Sequence, residues 1–199
     1  MITLRIGKFG LHIHWSFWLL LGVAAQLPGS RLLLLSLGAA CCHEVGHLAA
    51  MLAAGIPPRS LCLTALGGRL QAGSFYALGA ELAALGAGAA VNLILAACFA
   101  RATAYSLRLF SAVNLLLGVF NILPVQGLDG GRMAALLAEH KWGPAWSNRL
   151  SLCLSAVTLV LLFCWSFLLW KGHRNLPGIL LIPLAPGAAF WGWLRQKNH

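Results

Sequence analysis

Polar and charged positions in this 199-residue chain fall in short clusters between long apolar runs. The runs Trp15–Leu27, Leu32–Gly55, Tyr76–Ala100, Leu107–Leu123, Leu150–Trp170 and Leu176–Leu194 predict about six membrane-spanning helices, since a span needs about 20 largely apolar residues. The first run is short and is extended by Leu11–His14. Arg5 and Lys8 precede it as they would a signal peptide, but the stretch before it is strand-like and further spans follow, so it reads as a retained span. The sixth is interrupted by Pro183 and Pro186. Residues 1–14 alternate in the manner of a short strand at the membrane boundary. Ile56-Pro57-Pro58 ends the second run. Arg59–Gly73 reads as two short strands with Gly67-Gly68 at the turn, and Met133–Trp146 as a short polar connection. Bare strand edges cannot face lipid, so this hairpin must lie at the interface or line a cavity, with the N-terminal strand as its expected partner. The predicted fold is an all-α membrane protein of about six transmembrane helices with a small interfacial β-sheet. It forms a single domain over residues 1–199, with a core at 11–132 and accessory spans at 150–194.

Composition supports the membrane assignment. The chain is 60% hydrophobic and 9% charged, against roughly 25% charged residues in soluble domains. A net charge of +10 would point to nucleic acid in a soluble protein. Here the basic residues sit between apolar runs, which favours a lipid-facing role and no nucleic-acid partner. Of the 14 Lys and Arg residues, Arg31, Arg101, Arg108, Lys171 and Arg174 fall on one side of the predicted spans and the other nine on the side of the termini. The excess of positive charge places both termini in the cytoplasm. Cysteines 41, 42, 62, 98, 153 and 164 form no CxxC pair and read as small apolar residues.

The second run contains Cys42-His43-Glu44-Val45-Gly46-His47-Leu48, an HExxH motif inside a stretch with no other ionisable Asp, Glu, Lys, Arg or His between Leu32 and Pro58. Such groups in an apolar span mark a functional site. Residues four apart share a helix face, so His43 and His47 can converge on one metal ion, with Glu44 beside them as general base. Cys41 and Cys42 do not share that face. His12 and His14 share one strand face and read as interfacial polar residues rather than a second metal site. Only four acids occur, Glu44, Glu81, Asp129 and Glu139. Asp129 lies in Pro124-Val125-Gln126-Gly127-Leu128-Asp129-Gly130-Gly131, where proline and glycines predict a broken helix. Unwound backbone at membrane depth is expected only where it lines a site, so Asp129 is the candidate third ligand, although a turn Asp ordinarily caps a helix. In the predicted topology the second and fourth spans both run toward the cytoplasm. His47 then lies about 12 Å from the span end at 1.5 Å per residue, in the same leaflet as Asp129. Asn92 and Asn121 lie inside spans; Asn92 needs a hydrogen-bond partner and reads first as a structural bridge, and both are candidate substrate-binding residues.

HExGH in the second span, with Asn121-x-x-Pro124-x-x-x-Leu128-Asp129-Gly130-Gly131 after the fourth, resembles the site-2 protease family of intramembrane zinc metalloproteases. The resemblance runs from Leu11-His12-Ile13-His14-Trp15 to about Arg132 and is most like the subgroup that processes sigma-factor precursors in sporulation. It implies one zinc ion per chain, a membrane-associated protein substrate, inhibitory membrane partners and a bacterial cell membrane. Gly88-Ala89-Ala90-Val91-Asn92 departs from the family's GPxxN at Ala89. Neither a CBS domain, frequent in that subgroup, nor a PDZ insertion is expected. The expected activity is peptide-bond hydrolysis near the cytoplasmic face. His43, His47 and Asp129 would bind zinc, Glu44 would be the base, and Asn121 and Asn92 would steady the substrate. A membrane metal or proton transporter, or a catalytically inactive substrate-binding homologue, are the alternative readings.

Overall fold

Ten elements follow in order: β1 (Ile2–Ile6), β2 (Phe9–Ile13), α1 (Ser30–Ala53), β3 (Pro58–Thr64), β4 (Gly67–Ala72), α2 (Leu78–Phe99), α3 (Tyr105–Ile122), α4 (Asp129–Trp142), α5 (Pro144–Gly172) and α6 (Leu184–Lys197). This computed structural model describes residues 2–6, 9–15, 18, 22, 30–64, 67–72, 77–172 and 183–197. The chain divides into two units, Met1–Val119 and Phe120–His199.

Among the described residues, α1, α2, α3 and α5 are long and apolar enough to cross a membrane. They correspond to the second, third, fourth and fifth predicted spans. The first predicted span falls largely outside the described residues. The sixth is described only from Pro183, and its helix, α6, starts at Leu184 with Pro186 in the first turn. Proline is tolerated there because the first-turn N–H groups have no intrahelical partner. Four of the six predicted spans are thus seen among the described residues. Along α5, Val157, Val160, Leu161, Phe163, Trp165, Phe167 and Leu168 are all exposed. A helix apolar on its outward face needs hydrocarbon around it. The protein is an integral membrane protein.

In the first unit, β1 to β4 form a four-stranded sheet in chain order. β1 and β2 pair antiparallel, β2 and β3 parallel, and β3 and β4 antiparallel. The parallel step requires a long crossover, and that crossover contains α1. The N-terminal strand is thus a hairpin, and its second strand is the partner expected for the Arg59–Gly73 hairpin. One turn differs from expectation. Gly67 and Gly68 belong to β4, opposite Thr64 and Leu63; the turn itself lies outside the described residues. β4 packs beside α1.

The end of α1 shows how local chemistry sets a boundary. Gly55 has φ +71°, Ile56 N–H bonds Met51 O at 2.9 Å and Gly55 N–H bonds Leu52 O at 3.0 Å. This is a Schellman stop, in which a left-handed residue, best filled by glycine, satisfies the last carbonyls. Its hydrophobic contact is present too, since Ile56 and Met51 are buried together with Ala84 of α2. The helix therefore ends at Ala53, already closed by Gly55 before Pro57 and Pro58, the prolines credited with ending it. α3 is tied to α2 by Ser111, whose buried Oγ donates to Ala96 O at 2.6 Å.

In the second unit, Met133–Trp146 is not a connection. The helix-forming run Met-Ala-Ala-Leu-Leu-Ala extends α4 to Trp142, and its propensity outweighs the polar Glu-His-Lys that follows. Pro144 then opens α5. Ser147 Oγ donates to Ala135 O at 2.7 Å and links the two helices.

Ser111→Ala removes a hydrogen bond between helices in an apolar setting. It should lower stability by roughly 1 kcal/mol, measured by reversible unfolding in mixed micelles. An unchanged midpoint would show that the bond adds nothing net.

Candidate metal centre

The centre is built from α1 and the helix packed on it, α2. His43 and His47 are one turn apart and both buried, while Glu44 is half-buried beside them. The two rings meet edge to face at a centroid distance of 4.6 Å, and their Nε2 atoms lie 3.0 Å apart. Two nitrogens bonded to one tetrahedral zinc at about 2.0–2.1 Å would sit roughly 3.3 Å apart. The pair is close to that spacing.

The ring of His47 is oriented by backbone. Its Nδ1 lies 2.6 Å from Ala84 O of α2. A carbonyl can only accept, so Nδ1 carries the proton and Nε2 presents a lone pair. This is the arrangement by which metal-binding imidazoles are held in the right tautomer.

Close helix approach makes this contact possible. A Cβ on Gly46 would meet Ala87 O at 2.8 Å, and one on Gly88 would meet His47 Nε2 at 2.5 Å and His43 Nε2 at 2.8 Å. Both positions require a missing side chain, and the second requires it because the imidazoles occupy the space. Gly79, by contrast, has nothing within 4 Å of its Cβ position. Of these two α2 glycines, Gly88 serves close packing and Gly79 does not.

Asp129 is the first residue of α4. The N-cap is Leu128, in extended conformation with no side-chain cap bond. The ordinary role for an Asp in this context, the cap, is therefore taken by another residue. Leu128 N–H bonds Val125 O at 3.0 Å, and Gly127 has φ +99° while no non-glycine residue among the described residues has positive φ. Together these define a type II turn over Val125–Leu128 with glycine where left-handed backbone is required. The helix is broken here as Pro124 and the glycines predict.

Among the described residues, His43 and His47 in the first unit and Asp129 in the second are the candidate donor set for one metal ion. Two imidazoles and a carboxylate are a donor set that suits zinc and leaves a coordination position open. No cysteine and neither His12 nor His14 belongs to this group. Asn92 is fully buried, one turn beyond Gly88 on the same helix face, and both of its amide atoms lack a hydrogen-bond partner among the described residues. Asn121 is half-buried in the last turn of α3. Two contributors escape sequence reading, Gly46 and Ala84. Gly46 left a faint signal, a small residue inside HExGH. Ala84 left none, because it acts through a carbonyl that every residue has.

Residues 98–164 match the model of peptidase family M50. The match includes the Asp129 turn. Rip3 of Mycobacterium tuberculosis, a protein provisionally named a zinc metalloprotease, is 32% identical over 174 residues, covering 70% of this chain and 44% of its own length, in each of two strains. The chain thus spans under half the length of that relative. The site-2 protease from Methanocaldococcus jannaschii has the same fold, with a TM-score of 0.65 over 98% of this chain and 94% of that one, at 22% identity. The chain is thus similar to the M50 peptidases over residues 98–164 and shares the fold of a site-2 protease.

Gly88→Ala should lower zinc affinity by about ten-fold or more, in the range for groups that orient metal ligands, whereas Gly79→Ala should leave it unchanged. Chelator competition on the purified protein checks this, and equal affinities for the two variants would contradict the contact.

Proposed function

We propose that the protein is an intramembrane zinc metalloendopeptidase that cuts a peptide bond of a membrane-associated protein near the cytoplasmic face. The observation that carries this reading is the convergence of the His43 and His47 Nε2 atoms on a buried helix face, with Glu44 next in sequence. His43, His47 and Asp129 would hold the metal. Zinc, when bound there, acts as a Lewis acid on the scissile carbonyl and lowers the pKa of water toward about 7. Glu44 accepts the proton of the attacking water and returns it to the leaving nitrogen.

The amides of Asn92 and Asn121 donate to and accept from the substrate backbone. The missing partners of Asn92 among the described residues support this role, since a buried amide without a partner is costly and is retained where something else completes it. A helical substrate has its amides already paired, so the bond to be cut must lie in a locally extended segment. β4 is an edge strand beside α1 and suits addition of such a segment. The sequence resemblance supports a sigma-factor precursor as substrate and an inhibitory membrane protein as partner. The apolar helices support a multi-pass placement, the bias of Lys and Arg supports cytoplasmic termini, and the sequence resemblance supports a bacterial cell membrane.

Glu44→Gln should keep zinc and lose cleavage of a co-expressed membrane-tethered sigma-factor precursor, by about 10²–10⁴-fold as expected for loss of a general base. Zinc content and immunoblots of the precursor measure both. Cleavage at the wild-type rate would refute the assignment of the base.

A further inference from the structure

The second unit contains a hydrogen-bond brace that reaches the LDGG turn from Ser155, a residue outside both motifs. Ser155 lies in the middle of α5 and is fully buried. Its Oγ accepts the Gln126 backbone N–H at 2.9 Å and donates to Ser151 O one turn earlier at 2.7 Å. Both hydroxyl functions are therefore used, and the bond to Ser151 fixes the direction of the lone pair facing Gln126. Gln126 is the second residue of the type II turn and is itself buried. Its side chain closes the loop from the other end, with Nε2 donating to Gly131 O at 3.1 Å. On α6, Ala189 presses its backbone against the turn, where a Cβ on Gly127 would meet Ala189 C at 2.7 Å. The turn so held ends at Leu128, and Asp129 follows directly.

We infer that Ser155 is a positioning residue for Asp129, and that α5 and α6 form the cradle that holds the ligand-bearing turn. The inference rests on the metalloprotease reading, through the role of Asp129. Its physical basis is that unwound backbone in an apolar setting has N–H groups that no water satisfies. Gln126 N–H would be one of these, and without its acceptor the turn loses the geometry that aims the first residue of α4. Groups that orient metal ligands typically change metal affinity by about 10–100-fold. The last helices would then contribute to metal binding without supplying a ligand.

Ser151 provides the control. It lies one turn before Ser155 on the same face, is buried, and its Oγ has no partner among the described residues. Ser151→Ala removes the same atom from the same helix face and leaves the turn bonded. The full chain in detergent micelles, titrated with zinc against a chelator and with cobalt(II) for its visible ligand-field spectrum, separates the roles. Ser155→Ala should weaken zinc binding by about ten-fold or more and alter the cobalt spectrum, while Ser151→Ala matches the wild type in both. Should Ser155→Ala fail to fold, Gln126→Pro removes the same donor at a turn position that accepts proline, with Gln126→Ala as its control for the side-chain bond. Wild-type affinity and spectrum in Ser155→Ala, or an equal loss in Ser151→Ala, would overturn the inference. A wild-type protein that binds no zinc would overturn the metalloprotease reading and this inference together; one that binds zinc while Ser155→Ala is unaffected would overturn this inference alone.

Discussion

The close approach of α1 and α2 at Gly46 and Gly88 is the constraint on which the centre depends. Within a bilayer, helices gain little by hiding apolar surface from one another, since lipid is equally apolar, and packing of small residues takes over as the source of contact. Here the missing side chains do more than let two helices touch. The absent Cβ of Gly88 leaves the space in which the two imidazoles lie, and the same approach brings Ala84 O within 2.6 Å of His47 Nδ1. One contact thus sets the position of both rings and the tautomer of one. Below it, Met51, Ile56 and Ala84 pack as a small core, so the residue whose carbonyl orients His47 is anchored by its own methyl group.

The Phe120–His199 unit solves a different problem. Asp129, the candidate third ligand, opens α4 directly after backbone that is not helical, and in an apolar setting every freed N–H and C=O needs a partner from the protein. The turn answers with bonds Leu128 N–H to Val125 O and Val125 N–H to Leu123 O, and Ser155 and the Gln126 side chain supply the rest. Apolar helices otherwise read as lipid-facing bulk therefore carry polar groups at the depth where broken backbone needs them. Most of the outward surface of α5 is apolar, and its buried face carries Ser147, Ser151, Ser155 and Ser166.

Features of short range were legible from residue order. HExGH on an apolar run implied one helix face with two imidazoles, because helical periodicity alone places positions 43 and 47 together. Pro124, Gly127 and Gly130-Gly131 implied a broken helix, since backbone restrictions belong to the residues themselves. Pairing of the Arg59–Gly73 hairpin with an N-terminal strand was also within reach. The same reasoning erred where two local tendencies competed. Gly67-Gly68 was taken for a turn and joined the strand; Met133–Trp146 was taken for a polar link and is mostly helix; the proline pair was credited with ending α1, where Gly55 had already done so.

Sequence by itself determined the candidate ligand types, their spacing on α1 and the break before Asp129, because each is set by covalent geometry and helical period within a few residues. Tertiary structure alone decided which distant groups orient them. The bond from His47 spans 37 residues and the bond to Ser155 spans 29. One of the two uses a backbone carbonyl and the other a backbone N–H, groups present at nearly every position. Residue identity cannot single out such atoms; only the packing of one helix on another selects them.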